Sequence, residues 1–188
     1  MSNVKGVAII GLVKYIKKFS KQRGQNLEEI LTMLSPEDRD IFSKRILSTE
    51  WYPYSIYVNL GNLVDKIFGK GDFSLAREIG KLSAETDLGS VYKTFVHFQS
   101  PAIIIKRAMN IWGSYYDTGD VEVKEIFPGK AAMHIREFPN IGKFHCKNIE
   151  GWIEKFIELS GYKEAKVAET KCQTQGDDCC EFIMTWKA

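Results

Sequence analysis

The sequence predicts an α+β domain in which N-terminal helices pack with an antiparallel four-stranded sheet. Apolar residues recur at helical spacing in one stretch after another as far as Gly113. From Val121 onward the period drops to two, apart from residues 143–160, and the alternating runs are joined by turns rather than by crossover helices. Hairpins give an antiparallel sheet, which the helices cover on one face. The expectation is a single domain over 1–188, with a helical part at about 1–114 and a sheet part at about 115–188.

Residues 4–20 place Val4, Ala8, Gly11, Leu12, Tyr15 and Phe19 on one helical face, with Lys5, Lys14, Lys17, Lys18 and Lys21 around the other. This reads as a core-packing helix with a solvated basic face, in preference to a membrane-surface helix. Asn26 or Gln25 precedes Leu27 as a cap. Ser35-Pro36-Glu37-Asp38 opens a further helix that runs through Ile46. Trp51-Tyr52-Pro53-Tyr54 interrupts the pattern before Ile56, Leu60, Leu63, Val64 and Ile67 resume it. Residues 73–95 form another helical stretch, and Pro101 opens one whose Ile104, Ile105, Ala108, Met109, Ile111 and Trp112 imply burial on more than one side.

Residues 121–127 and 131–138 then pair across Pro128-Gly129. Residues 143–160 return to helix, with Cys146, Ile149, Ile153, Phe156 and Ile157 on one stripe and Gly161 ending it. Residues 163–171 and 180–187 alternate again, and Cys180, Phe182, Met184 and Trp186 share a face.

Composition narrows the functional classes. The 188 residues carry 26 Lys+Arg against 24 Asp+Glu, with 44% hydrophobic residues, which suits a globular core and excludes disorder. No apolar run approaches the roughly 20 residues of a transmembrane helix. The near-zero charge gives no general reason to bind nucleic acid. Six bases and no acids lie in residues 1–27, so the body is mildly acidic. Lys14, Lys17 and Lys18 follow the short apolar run Val7–Val13, unlike a secretory leader, and the chain reads as mature and cytoplasmic.

All four cysteines, Cys146, Cys172, Cys179 and Cys180, lie in the last 43 residues, which points to a local site rather than a disulfide framework. The spacing Cys146-x22-Glu169-x2-Cys172-x7-Cys180 would bring three thiolates and a carboxylate together from a helix, a strand end and a loop. Zinc takes four such ligands in a tetrahedron. Buried core cysteines explain the same residues without a metal, and Cys179 is an alternative to Cys180.

The stretch from Trp112-Gly113-Ser114-Tyr115-Tyr116 to Lys171-Cys172, with Gly176-Asp177-Asp178-Cys179-Cys180-Glu181-Phe182, resembles the 4-vinyl reductase domain, a small-molecule-binding family. The ligand spacing is similar to the zinc-containing sensory domain of phenol- and toluene-responsive bacterial activators. The resemblance covers roughly residues 90–188 and implies that Cys146, Glu169, Cys172 and Cys180 hold a structural zinc. It also implies a fold shared with haem nitric oxide sensors and with Golgi transport tethering subunits. Within these residues there is neither a Walker loop nor a DNA-binding helix pair, so transcriptional control does not carry over.

By the same resemblance His97 would hydrogen-bond a small apolar or aromatic ligand, with Phe95, Phe98, Ile105, Met109 and Trp112 as apolar walls. A histidine bonded to a backbone carbonyl at a helix end is the structural reading of His97. The expected function is a non-catalytic, zinc-stabilised sensor or carrier of hydrocarbon or aromatic molecules. It would form a homodimer through helix 4–20 and pass occupancy to a signalling partner. Two alternatives remain: a haem gas sensor using His97 as iron ligand, and a protein-interaction scaffold without ligand. The Tyr-x-Ser-x-Arg motif that grips haem propionates is missing, the nearest stretch being Ile135-Arg136-Glu137-Phe138. No nucleophile elbow, triad or phosphate loop points to catalysis.

Overall fold

The computed structural model describes residues 2–90, 103, 105, 106, 109 and 112–187. Strand β1 (Asn3–Lys5) pairs antiparallel with β2 (Trp51–Pro53), with Val4 opposite Tyr52. The helix expected from residue 4 therefore begins at Gly6. Asn3 donates to the Asp117 carboxylate from its backbone N–H (2.6 Å) and from Nδ2 (2.7 Å), and Val4 is fully buried as a strand residue. Long-range pairing overrides the local helical period here, and it also turns the Trp51–Pro53 interruption into a strand.

Helix α1 (Gly6–Gln22) exposes Lys14, Lys17, Lys18 and Lys21 as expected and buries Leu12 and Tyr15 of the expected face, but it also buries Ile9 and Ile16, while Ala8, Gly11 and Phe19 are only partly buried. Helix α2 (Leu27–Leu31) is capped by Asn26, and α3 (Pro36–Phe42) by Ser35, whose Oγ accepts the Asp38 N–H at 3.1 Å. The α3 helix stops four residues short of Ile46, where Ser43 Oγ donates to the Asp40 carbonyl at its C-terminus. Helices α4 (Tyr54–Phe68) and α5 (Ser74–Ser90) follow. The expected helix after Pro101 falls largely outside the described residues, among which Ile103, Ile105, Lys106 and Met109 are helical.

The sheet contains β3 (Asp120–Phe127), β4 (Lys130–Arg136), β5 (Lys163–Lys171) and β6 (Cys180–Lys187) in the order β3-β4-β6-β5, all antiparallel. The last strand is central, pairing Phe182 with Met133 on one side and Met184 with Val167 on the other. Met133, Ile135, Val167, Phe182 and Met184 share a buried cluster with Ile153, Phe156 and Ile157 of helix α6 (Lys143–Leu159).

Helix α6 is held from its other side by α5. A Cβ added at Gly80 would lie 2.0 Å from the Asn148 carbonyl oxygen, and one at Gly151 would lie 1.9 Å from that of Arg77. Only residues without a side chain permit this approach. Arg77 crosses the seam, with Nη1 at 2.6 Å from Glu150 Oε2 and Nη2 paired to Glu154 and to the Val167 carbonyl. No described helix is long and apolar enough to cross a membrane.

Candidate metal centre and adjoining cavity

Cys146 projects from the first turn of α6, Glu169 from the end of β5, Cys172 from the residue after β5, and Cys180 opens β6. One ligand atom from each lies within 4.8 Å of every other. The grouping depends on an irregularity in β5 between Glu169 and Lys171, where the pairing with β6 slips by one residue. Strict alternation from Glu169 would turn Lys171 inward. The bulge instead exposes Lys171 and buries Cys172.

The three thiols are almost fully buried, and the Glu169 side chain is 2% exposed. Lys143 Nζ lies 2.7 Å from Glu169 Oε2, whereas buried Oε1 has no hydrogen-bond partner among the described residues. Backbone and hydroxyl groups orient the sulfurs: the Gln173 N–H donates to Cys180 Sγ at 3.4 Å, and Cys172 Sγ lies 2.9 Å from Thr174 Oγ1. Cys146 Sγ and Cys180 Sγ are 3.9 Å apart. The hydrogen bond to Cys180, together with burial, pushes the Cys146 thiol up, while the same bond lowers Cys180. Burial raises Cys172. Four close anionic donors resist joint ionisation unless a cation joins them, so this cluster could hold a metal ion. Cys179, although buried, lies outside the group, and burial raises its thiol.

His145, one residue before Cys146, turns away from the cluster, since neighbouring helical residues point about 100° apart. It lines a cavity of about 610 Å³ walled by α1, α4, α5, α6 and the turn that begins at Trp112. The walls are mainly aromatic and aliphatic, and exposed Val7, Ile10 and Lys14 of α1 form part of them. Trp112 stacks parallel to the His145 ring (centroids 5.9 Å, 8°) and Tyr116 tilts against it at 4.8 Å. His145 Nδ1 lies 2.8 Å from Tyr54 Oη, which also accepts the Gly142 N–H at 3.2 Å. Burial pushes the His145 pKa down to about 3 and raises the phenols of Tyr54, Tyr57 and Tyr116. The ring and the phenols are neutral at ordinary pH.

Of the residues expected to line a pocket, Met109 and Trp112 do so. Ile105 is completely buried in the core and is not part of the described lining. His97, Phe95 and Phe98 lie outside the described residues. Sequence reasoning missed Tyr57, Tyr116, His145 and Trp152, and it read α1 as core rather than as a cavity wall. The Trp112–Tyr116 aromatic run was the available signal.

Residues 130–185 match the V4R domain model. The V4R segment spans β4, α6, β5 and most of β6, and therefore contains all four cluster residues and His145. It is shorter than the span of roughly 90–188 suggested by the resemblance, and α1, α4 and α5, which form the opposite cavity wall, lie outside it. No curated protein sequence matches the chain.

Among solved structures, the whole architecture is similar to H-NOX proteins. The S. oneidensis H-NOX protein in its Fe(II)NO state superposes with a TM-score of 0.72 at 16% identity, covering 98% of this chain and 99% of that one. The Fe(II) unliganded H-NOX protein of K. algicida gives 0.70 at 15%, covering 98% and 97%. A T. tengcongensis H-NOX mutant gives 0.62 at 13%, covering 94% and 96%. At these identities the likeness establishes the α+β fold of helices and a four-stranded antiparallel sheet.

Proposed function

We propose that the chain acts as one cytoplasmic, non-catalytic sensor or carrier domain that binds a small apolar or aromatic molecule and is stabilised by zinc. The observation that carries this reading is the placement of a buried four-donor cluster and a largely apolar cavity against different faces of the same helix, α6. The donor set suits zinc: Cys146, Cys172 and Cys180 would supply thiolates, and the unpartnered Glu169 Oε1 the fourth ligand. Four protein ligands leave no open position for a substrate, so the metal would serve folding, tying the β5–β6 turn to α6.

The V4R match supports small-molecule binding, and the cavity supplies the volume and the apolar surface for it. Exposed Val7 and Ile10 on α1 are the proposed homodimer contact, from which occupancy would reach a signalling partner. A thermal-shift panel on zinc-loaded protein, using phenols, aromatic hydrocarbons and fatty acids, tests the ligand reading. Binding to the folded state raises Tm, whereas a panel without response counts against the cavity as a ligand site.

Haem is the second reading, favoured by the fold likeness to H-NOX proteins. The described cavity residues fit it poorly. Among them Lys14 is the one cation available to propionates, and Arg136 instead faces Glu122 across the β3–β4 pair at 3.3 Å. A Soret band after haem reconstitution that disappears in His97→Ala would favour this reading. A ligand-free scaffold would fill its interior with side chains, and a cavity of about 610 Å³ does not favour it.

A further inference from the structure

We propose that His145 presents Nε2–H to the cavity as an oriented hydrogen-bond donor, so that the ligand carries an acceptor oxygen on its apolar or aromatic frame. This deepens, and rests on, the reading of the cavity as a ligand site. The argument starts at Tyr54 Oη, which accepts the Gly142 N–H and lies 2.8 Å from Nδ1 of His145. Its own proton has one acceptor among the described residues, that ring nitrogen. Tyr54 therefore donates to Nδ1, and the proton of the neutral imidazole resides on Nε2. A charged ring would also carry hydrogen on Nε2, so the donor persists in either state.

Several other polar groups of the cavity are engaged, while the exposed Lys14 and the Ser83 hydroxyl also belong to its lining. Trp112 Nε1 donates to the Thr118 carbonyl at 2.9 Å, and Asn148 Nδ2 to that of Ala76 at 3.3 Å. Tyr15 Oη and Thr86 Oγ1 pair with each other at 3.1 Å, and Thr86 also donates to the Leu82 carbonyl. The Tyr57 and Tyr116 hydroxyls rotate and can both donate and accept, so they do not discriminate. His145, packed between Trp112, Tyr116 and Tyr54, cannot adapt in that way. The described lining contains no carboxylate to accept from a ligand that is only a donor.

Two measurements on the zinc-loaded protein test this. Long-range ¹H–¹⁵N NMR of the ligand-free protein should find His145 protonated on Nε2 and unprotonated on Nδ1, and the opposite tautomer overturns the proposal. Acetophenone and α-methylstyrene have the same shape, but only the first has an acceptor oxygen. Titrations followed by tryptophan fluorescence should show acetophenone binding about fivefold more tightly. The ratio should fall to about one in His145→Phe. Tyr54→Phe, which keeps the ring packing, should lower it as well and provides the comparison if His145→Phe does not fold. Equal affinities in the unmodified protein overturn the proposal. If neither compound binds while NMR finds Nε2–H, the ligand-site reading itself fails and the inference falls with it.

Discussion

His145 and Cys146 are consecutive residues on α6 that face different sites, the first lining the aromatic cavity and the second joining the cluster with Glu169, Cys172 and Cys180. Any rotation or shift of the first turn of α6 moves both at once. Tyr54 reinforces the junction, because its hydroxyl binds both His145 Nδ1 and the Gly142 N–H at the helix start. A metal that orders this turn would thereby also order one wall of the cavity.

Lys143→Met should weaken zinc binding without abolishing it. Lys143 lies 2.7 Å from Glu169 Oε2 and orients the carboxylate, and outer-shell partners of this kind typically alter metal affinity by about 10- to 100-fold. Competition against a chromophoric chelator would measure the change. An unaltered affinity would show that Glu169 is positioned without the lysine.

Gly151→Ala should destabilise the fold by about 1–3 kcal/mol, as overpacking in tight interiors does. The new methyl group would meet the Arg77 carbonyl at 1.9 Å and force α5 and α6 apart. Urea denaturation should give a lower midpoint for this variant than for Gly11→Ala, since nothing lies within 4 Å of the Gly11 position.

Acid should loosen the same seam. Burial alone would raise the Glu154 carboxyl, but hydrogen bonds from Lys81 and Arg77 outweigh it and hold its pKa below the usual 4.5. The unfolded chain therefore takes up the Glu154 proton first as pH falls. The stabilisation is complete above about pH 4.5 and is lost as pH drops through the lower folded-state value. Glu154→Gln should flatten this part of the pH–stability curve measured by circular dichroism, and an unchanged slope would place the acid sensitivity elsewhere.

Much of this fold is legible in local patterns. The two hairpins announce themselves by period-two alternation, and the stripe Cys146, Ile149, Ile153, Phe156 and Ile157 is buried as helical spacing requires. Cys146, Glu169, Cys172 and Cys180 converge as their spacing suggested, but the device that makes Cys172 face inward is a bulge, and spacing does not encode it. What local patterns miss depends on partners far along the chain. Val4 becomes a strand residue because Tyr52 pairs with it, and the central place of β6 follows from pairing on both edges. Gly80 and Gly151 gain meaning only once α5 and α6 touch. His145 carries no such local signal, because one residue's offset on a helix does not say which neighbour it meets.

The central claim is that three sulfurs and one carboxylate oxygen enclose a zinc ion against α6. Zinc K-edge X-ray absorption on protein purified without chelator tests it most directly. The account predicts about one zinc per chain with three Zn–S distances near 2.3 Å and one Zn–O distance near 2.0 Å, all lost in Cys172→Ser. Metal-free protein of undiminished stability, or zinc surrounded by nitrogen and oxygen alone, would contradict it.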